Sequence, residues 1–189
     1  LTDIAIRALT PDLLEDYLSF FDQVDLADSN WSGCYCYFYH SPATSAEEWQ
    51  TGLDGGNRAA VSDLIRQGVH RGFLAYANGR PVGWCHAAPR HTVRKVVGLL
   101  GSLYEPADDV GSIFCFVIAE PYRRQGISRQ LLAAACDQFA RDGLAFAEAY
   151  PGKATPSARH YRGPLPMYLQ AGFVPVGEVE HYLVVRKPL

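Results

Sequence analysis

Apolar positions along this chain repeat with two different periods, and the switches between them outline its elements. "IAIRAL" (residues 4–9) alternates with period two, as a half-buried strand does. "TPDLLEDYLSFF" then shifts to a helical period, with Thr10 placed to cap it and Pro11 at its first position. After an aromatic, polar stretch from Asp25 to Pro42, "SAEEWQ" sets Ser45 and Glu48 at capping-box spacing. "NRAAVSDLIRQG" predicts a second long helix, with Ala60, Leu64 and Ile65 on its apolar side and Gly68 as its stop. "GFLAYANGRPVGWCHAAP" holds two strand-like runs around Asn78-Gly79, the pair favoured in a type I′ hairpin turn. Residues 90–110 are looser, apart from a helical candidate in "TVRKVVGLLGSL". "GSIFCFVIA" (111–119) is apolar on both faces, as expected at the centre of a sheet. The helix after it carries Ile127, Leu131, Leu132, Ala135 and Phe139 on one stripe. "LAFAEAY" reads as another buried strand, "PLPMYLQAG" as a short helix ending at Gly172, and "FVPVGE" with "HYLVVRK" as a closing antiparallel pair. Without repeats or a linker, the pattern predicts a single mixed α/β domain over 1–189.

Composition narrows the function. At 189 residues and 48% hydrophobic, the chain can bury a substantial core. A net charge of -3 argues against a nucleic-acid partner, which needs a basic face to neutralise phosphates. The longest apolar runs fall far short of the roughly 20 residues that span a membrane. "LTDIAIR" lacks the features of a secretory signal, so a cytoplasmic location is expected. The five cysteines are irregularly spaced and read as reduced thiols. Cys34, Cys36 and His40 lack a second ligand pair at metal spacing, so no metal is expected, and spacing assigns those two cysteines no role.

One local charge cluster runs against this balance. In "EPYRRQGISRQLL" (120–132), Arg123, Arg124 and Arg129 surround Gly126, between the central strand and the amphipathic helix. A strand entering a helix through a glycine turn presents unpaired backbone N–H groups, and the helix dipole adds to their attraction for an anion. Gly126 would let a phosphate approach where a Cβ would obstruct it. The turn is neither a Walker A loop nor a dinucleotide fingerprint, because the required Lys-Ser/Thr and further glycines are missing.

"RRQGIS" after "FVIAEPY" resembles the acyl-CoA signature of the GNAT superfamily of N-acetyltransferases, and the order of elements resembles that family along essentially the whole chain. Ser128 stands where the family usually has Gly or Ala. The resemblance implies a mostly antiparallel α/β (α+β) sheet flanked by helices and splayed at the acyl-CoA-binding strand. It implies acetyl-CoA as cosubstrate. Its pyrophosphate would be wrapped by Arg123, Arg124, Gln125, Gly126, Ile127, Ser128 and Arg129, and its pantetheine arm would pair with Phe116, Val117 and Ile118. "MYLQAGF" resembles the family's second signature, whose tyrosine, Tyr168 here, protonates the departing thiolate; a packing role for Tyr168 stays open.

Acetyl transfer to a primary amine also needs the ammonium to lose a proton, because its pKa of roughly 10 keeps it charged at neutral pH. Asp108, Asp109, His86 and a water relay are all candidates for that base. Cys115 reads as a buried strand residue, and no covalent acyl-cysteine is required. In the family, the segment between the first two helices walls the acceptor cleft. Here Asp22, Asp25 and Asp28 could attract a cation while Trp31, Tyr35 and Tyr37 stack on a ring, or the segment is a solvated helix end and a lid. The expected activity is N-acetylation of a small cationic, amino-sugar or aminoglycoside-like amine, as a monomer or homodimer. A protein or peptide N-acetyltransferase and a non-catalytic CoA sensor are the rivals.

Overall fold

In the computed structural model, which describes residues 3–23, 33–153, 161–179 and 181–189, seven strands form one sheet. They are β1 (Ile4–Ala8), β2 (Gly72–Ala77), β3 (Arg80–Pro89), β4 (Val110–Ile118), β5 (Phe146–Ala149), β6 (Val174–Val179) and β7 (Tyr182–Pro188). Their spatial order is β1-β2-β3-β4-β5-β7-β6, and every neighbouring pair is antiparallel except β4 with β5. Asn78 and Gly79 both have positive φ, 50° and 74°, as the turn between β2 and β3 requires.

The helices are α1 (Leu14–Phe21), α2 (Ala46–Gly52), α3 (Gly56–Arg66), α4 (Val96–Leu100), α5 (Ile127–Arg141) and α6 (Leu165–Gln170). They divide the core between the two faces of the sheet. Tyr17 and Phe20 of α1 and Val61 and Ile65 of α3 pack with Trp84 and Phe114 on one face. On the other, Ile127, Leu131, Leu132, Ala135 and Phe139 of α5 pack with Phe73, Cys85 and Phe116. The α5 stripe is thus as the periodicity implies. The α3 stripe is rotated: Asn57, Val61, Ser62 and Ile65 are buried, whereas Ala60 and Leu64 are only partly covered. Asn57 explains the shift, because its amide turns inward and donates to the Gly33 carbonyl at 3.0 Å. Thr10 precedes a 3-10 turn at Pro11–Leu13 rather than α1 itself, and its side chain makes no cap bond.

Two irregularities of β4 shape its surroundings. Between His86 and Ala87 of β3 the register slips, leaving Phe114 as an extra residue on β4. A bulge of this kind breaks the alternation of side chains. Phe114 and Cys115 accordingly share one face, and Phe116 returns to the other. Secondly, β5 accompanies β4 only from Val110 to Ile113. The chain beyond β5 stays with β7, through Leu183 N–H to the Pro151 carbonyl (2.9 Å) and Lys153 N–H to the His181 carbonyl (3.1 Å). From Phe114 to Ile118, β4 has no strand on that side among the described residues, and the sheet splays open there.

Candidate active site

The apex of the splay is held by a buried ionic network. Ser112 lies opposite Glu148, and Glu148 is fully buried. Its carboxylate accepts from Arg90 Nη1 at 3.0 Å and from Arg186 Nη2 at 2.6 Å. The Tyr150 hydroxyl donates to the same carboxylate at 2.8 Å and also meets Ser112 Oγ at 2.7 Å. A buried carboxylate is tolerated only when paired and hydrogen-bonded, and here all partners are in place. Nothing in "LAFAEAY" marks Glu148 for this work, because its partners lie 58 and 38 residues away.

Where β4 ends, the arginine-rich turn begins. Arg124 and Gly126 both take left-handed backbone conformations, with φ of 63° and 82°. Alternation of this sort turns successive amides inward as an anion-binding concavity. Among the described residues, the N–H groups of residues 124 to 128 have no backbone partner, and the first N–H to bond back into α5 is that of Arg129. A Cβ at Gly126 would meet no protein atom within 4 Å, so the positive φ is what calls for glycine, and the space in front of it is open. The side chains hold the turn in shape: Arg123 Nε donates to the Ile118 carbonyl (3.0 Å), Gln125 Nε2 to the Pro121 carbonyl (2.9 Å) and Arg129 Nη2 to Gln170 Oε1 (2.9 Å). The turn faces a cleft of about 300 Å³ whose far wall is Pro164, Pro166 and Met167 at the start of α6. Phe116 is buried under α5, while Val117 and Ile118 are partly open along the unpaired edge.

Tyr168 lies one residue beyond that wall. Its ring is fully buried, packed edge-on to Phe173 at 5.4 Å, and its hydroxyl donates to the Arg162 carbonyl at 2.6 Å. Burial pushes its pKa well above the ordinary tyrosine value.

On the opposite face of β4 the bulge turns Cys115 and Val117 toward a second pocket of about 200 Å³. Phe21, Phe38, Tyr39, Trp49 and Tyr161 supply its aromatic wall, and no acidic side chain lines it among the described residues. Asp25, Asp28 and Trp31 fall outside those residues. Asp22 is engaged elsewhere, because it accepts from Arg58 Nη2 at 2.9 Å and from the Tyr35 hydroxyl. The Arg58 hydrogen bond lowers the Asp22 pKa. Tyr35 is thereby fixed away from the pocket, and the aromatic residues that line it include Phe38 and Tyr39 rather than Tyr35 and Tyr37. Burial pushes the Cys34 thiol, also in the lining, up to about 12, which leaves it protonated and unreactive.

None of the three residues proposed as base from the sequence faces this pocket. Asp108 and Asp109 precede β4, and at about 3.3 Å per residue they sit more than 20 Å from Val117. His86 is wholly buried behind Tyr39 and Phe114, and burial drives its pKa well below the ordinary value. It belongs instead to a group of three buried histidines, His40, His70 and His86, with ligand-capable atoms all within 4.8 Å of one another. Their separation in sequence hides this group from any spacing motif.

Comparison with known proteins bears on family and fold. A family model described as the acetyltransferase (GNAT) family matches residues 24–162. No curated protein matches the sequence. Among solved structures, PaiA N-acetyltransferase from Thermoplasma acidophilum, in complex with coenzyme A, is similar with a TM-score of 0.60 at 13% identity over 99% of both chains. Aminoglycoside acetyltransferase AAC(6')-Ib in complex with ribostamycin and coenzyme A is similar with a TM-score of 0.63 at 15% identity, over 98% of this chain and 93% of that one. An acetyltransferase of the same family from Streptococcus pneumoniae shares 20% identity at a TM-score of 0.51, over 99% of this chain and 100% of that one. At such identities the likeness is one of fold.

Proposed function

The chain belongs to the GNAT family of acetyltransferases, and on that premise we propose that it transfers the acetyl group of acetyl-CoA to the primary amine of a small, ring-bearing molecule. The observation that carries this reading is the pair of cavities meeting at β4. Among the described residues, the arginine turn and its five amides without a backbone partner lie on one side, the aromatic pocket on the other, and the unpaired edge of β4 runs between them. In this reading the amides of residues 124 to 128 hold the pyrophosphate, and Arg123, Gln125 and Arg129 keep the turn in shape. The backbone of Phe116, Val117 and Ile118 takes the pantetheine arm as a β5 substitute. The thioester carbonyl then lies beside Val117, within reach of an amine entering past Trp49 and Tyr161.

The amine nitrogen attacks the carbonyl carbon, the C–S bond breaks, and the thiolate takes up a proton. The proton lost by the ammonium leaves through water, because no carboxylate lines the pocket among the described residues. Tyr168 is the proton donor in this reading, supported by its place on the helix that walls the cofactor cleft; its hydroxyl exchanges the Arg162 carbonyl for the sulfur. A specific observation favours Tyr161 as the second candidate, since it lines the acceptor pocket together with Cys115 and Val117. The aromatic lining suits a sugar or other ring, so an amino sugar fits, whereas attraction of a polycation finds no support in the described wall.

Release of free thiol from acetyl-CoA in the presence of a panel of amines tests the proposal. Turnover is expected with ring-bearing small amines and not with simple polyamines or peptide N-termini. Binding of CoA without turnover of any amine would point instead to a sensor.

A further inference from the structure

Outside the two cavities, the feature with unspent chemistry is the buried histidine group. Its members come from three places: His40 closes the 3-10 turn Tyr37–Tyr39, His70 precedes β2, and His86 lies within β3. His40 is 8% exposed, His70 1% and His86 fully buried. Every nitrogen that lacks a partner here has lost its water with nothing in return.

The hydrogen bonds fix which nitrogens are bare. The Tyr17 hydroxyl donates to the Tyr35 carbonyl at 2.6 Å, so its contact with His70 Nε2 at 3.0 Å has the imidazole as donor. A neutral imidazole protonated on Nε2 carries its lone pair on Nδ1, and His70 Nδ1 is buried without a hydrogen-bond partner among the described residues. His40 Nε2 and His86 Nε2 share one hydrogen bond at 3.3 Å, and His86 Nδ1 is buried without a hydrogen-bond partner among the described residues. Once the proton of the His40–His86 pair moves to the outer Nδ1 of its ring, three lone pairs converge, with the outer N–H of His70 already anchored on a hydroxyl, the usual arrangement around a metal-bound imidazole.

The dimensions agree with a metal centre. Two nitrogens about 2.0–2.1 Å from a tetrahedral ion lie about 3.3 Å apart, the separation seen between His40 and His86. Imidazole rings on such an ion have centres about 5 Å apart, and here they are 5.2 Å (His40–His86), 5.3 Å (His40–His70) and 4.7 Å (His70–His86). The ligand-capable atoms all lie within 4.8 Å of one another, so gathering them on one ion shortens no separation by more than about 1.5 Å. Ordinary aromatic packing explains the stacking of His70 on Trp84 but not the gathering of three buried imidazoles, two of which carry an unpartnered nitrogen among the described residues.

We propose that His40, His70 and His86 form a three-histidine site for one divalent transition-metal ion of the zinc type, with a fourth position left to water. This departs from the expectation of no metal drawn from the cysteines, which lie outside the group. Because His40 directly follows Phe38 and Tyr39 of the aromatic pocket, the ion fastens that wall to the sheet.

The test uses the untagged full chain, stripped with chelator and titrated with Zn²⁺ and then Co²⁺. The expected result is one ion per chain, a Tm raised by several degrees, and visible Co²⁺ absorption of the tetrahedral type without thiolate charge-transfer bands. His40→Ala, at the least buried position of the three, should weaken binding at least 100-fold, whereas His91→Ala, at an exposed histidine, should not. Absence of Co²⁺ absorption at millimolar metal, thiolate bands implicating the cysteines, or a folded His40→Ala that binds like the wild type would each overturn the proposal. Should His40→Ala fail to fold, the wild-type stoichiometry and the ligand class in the Co²⁺ spectrum decide it alone.

Discussion

Replacing Gly126 with aspartate puts the proposed anion site under a direct test, because strain and charge can be separated there. The residue has a φ of 82°, and a Cβ at this position meets no atom within 4 Å. Any substitution pays for the left-handed conformation, at roughly 1–2 kcal/mol, with Asn and Asp the most tolerant of it. Gly126→Asn and Gly126→Asp should therefore lose similar stability, a few degrees of Tm in a domain of this size. They should differ toward the cofactor. With open space ahead of it, the carboxylate points into the cleft. At about 5 Å and an effective dielectric near 20, it opposes each phosphate charge by about 3 kcal/mol. CoA at 100 times its Kd stabilises the wild type by about 2.7 kcal/mol, a Tm rise of roughly 5–11 °C. Two opposed charges exceed that gain, so the CoA-induced shift should vanish in Gly126→Asp and largely survive in Gly126→Asn. Differential scanning fluorimetry, with titration calorimetry for Kd, reads both variants. A folded Gly126→Asp that keeps the full shift removes the turn from the cofactor site. Equal loss in both variants transfers the effect from charge to backbone geometry.

Tyr168→Phe removes a hydroxyl that donates at 2.6 Å, and as the thiolate's acid it should lower kcat by at least tenfold in single-turnover assays. Wild-type kcat in that variant, with a tenfold fall in Tyr161→Phe, would move the role to Tyr161. Glu148→Gln leaves Arg90 and Arg186 facing a neutral group in a buried site and should cost about 3–5 kcal/mol, or roughly 6–20 °C of Tm by circular dichroism. A loss under 2 °C would mean that the network does not hold the splay. At Gly111, a Cβ would run into the Phe139 ring of α5, so Gly111→Ala should destabilise by about 1–3 kcal/mol in urea unfolding. An unchanged midpoint would show that α5 can withdraw freely from β4.

Local order was legible in the sequence at several places that a short-range rule governs, though not at Thr10, whose side chain makes no cap bond. The Asn78-Gly79 turn, the α5 stripe from Ile127 to Phe139 and the glycine turn at residues 123–129 each follow from neighbours within a few residues, and each stands in the fold where the pattern implies. Side-chain direction within an element was less secure. The α3 face rotated because Asn57, polar and discounted by any hydrophobic count, found a carbonyl to bond. Only tertiary structure could decide the contents of the site. The bulge at Phe114 depends on register against β3, and it alone turns Cys115 toward the aromatic pocket. Asp22 was lost to the acceptor by meeting Arg58, 36 residues along. The burial of Glu148 and the meeting of His40, His70 and His86 arise the same way, from strands and loops distant in sequence packed against one sheet. A carboxylate or imidazole takes its character from the charges and dielectric around it, and those are set by residues that no local window contains.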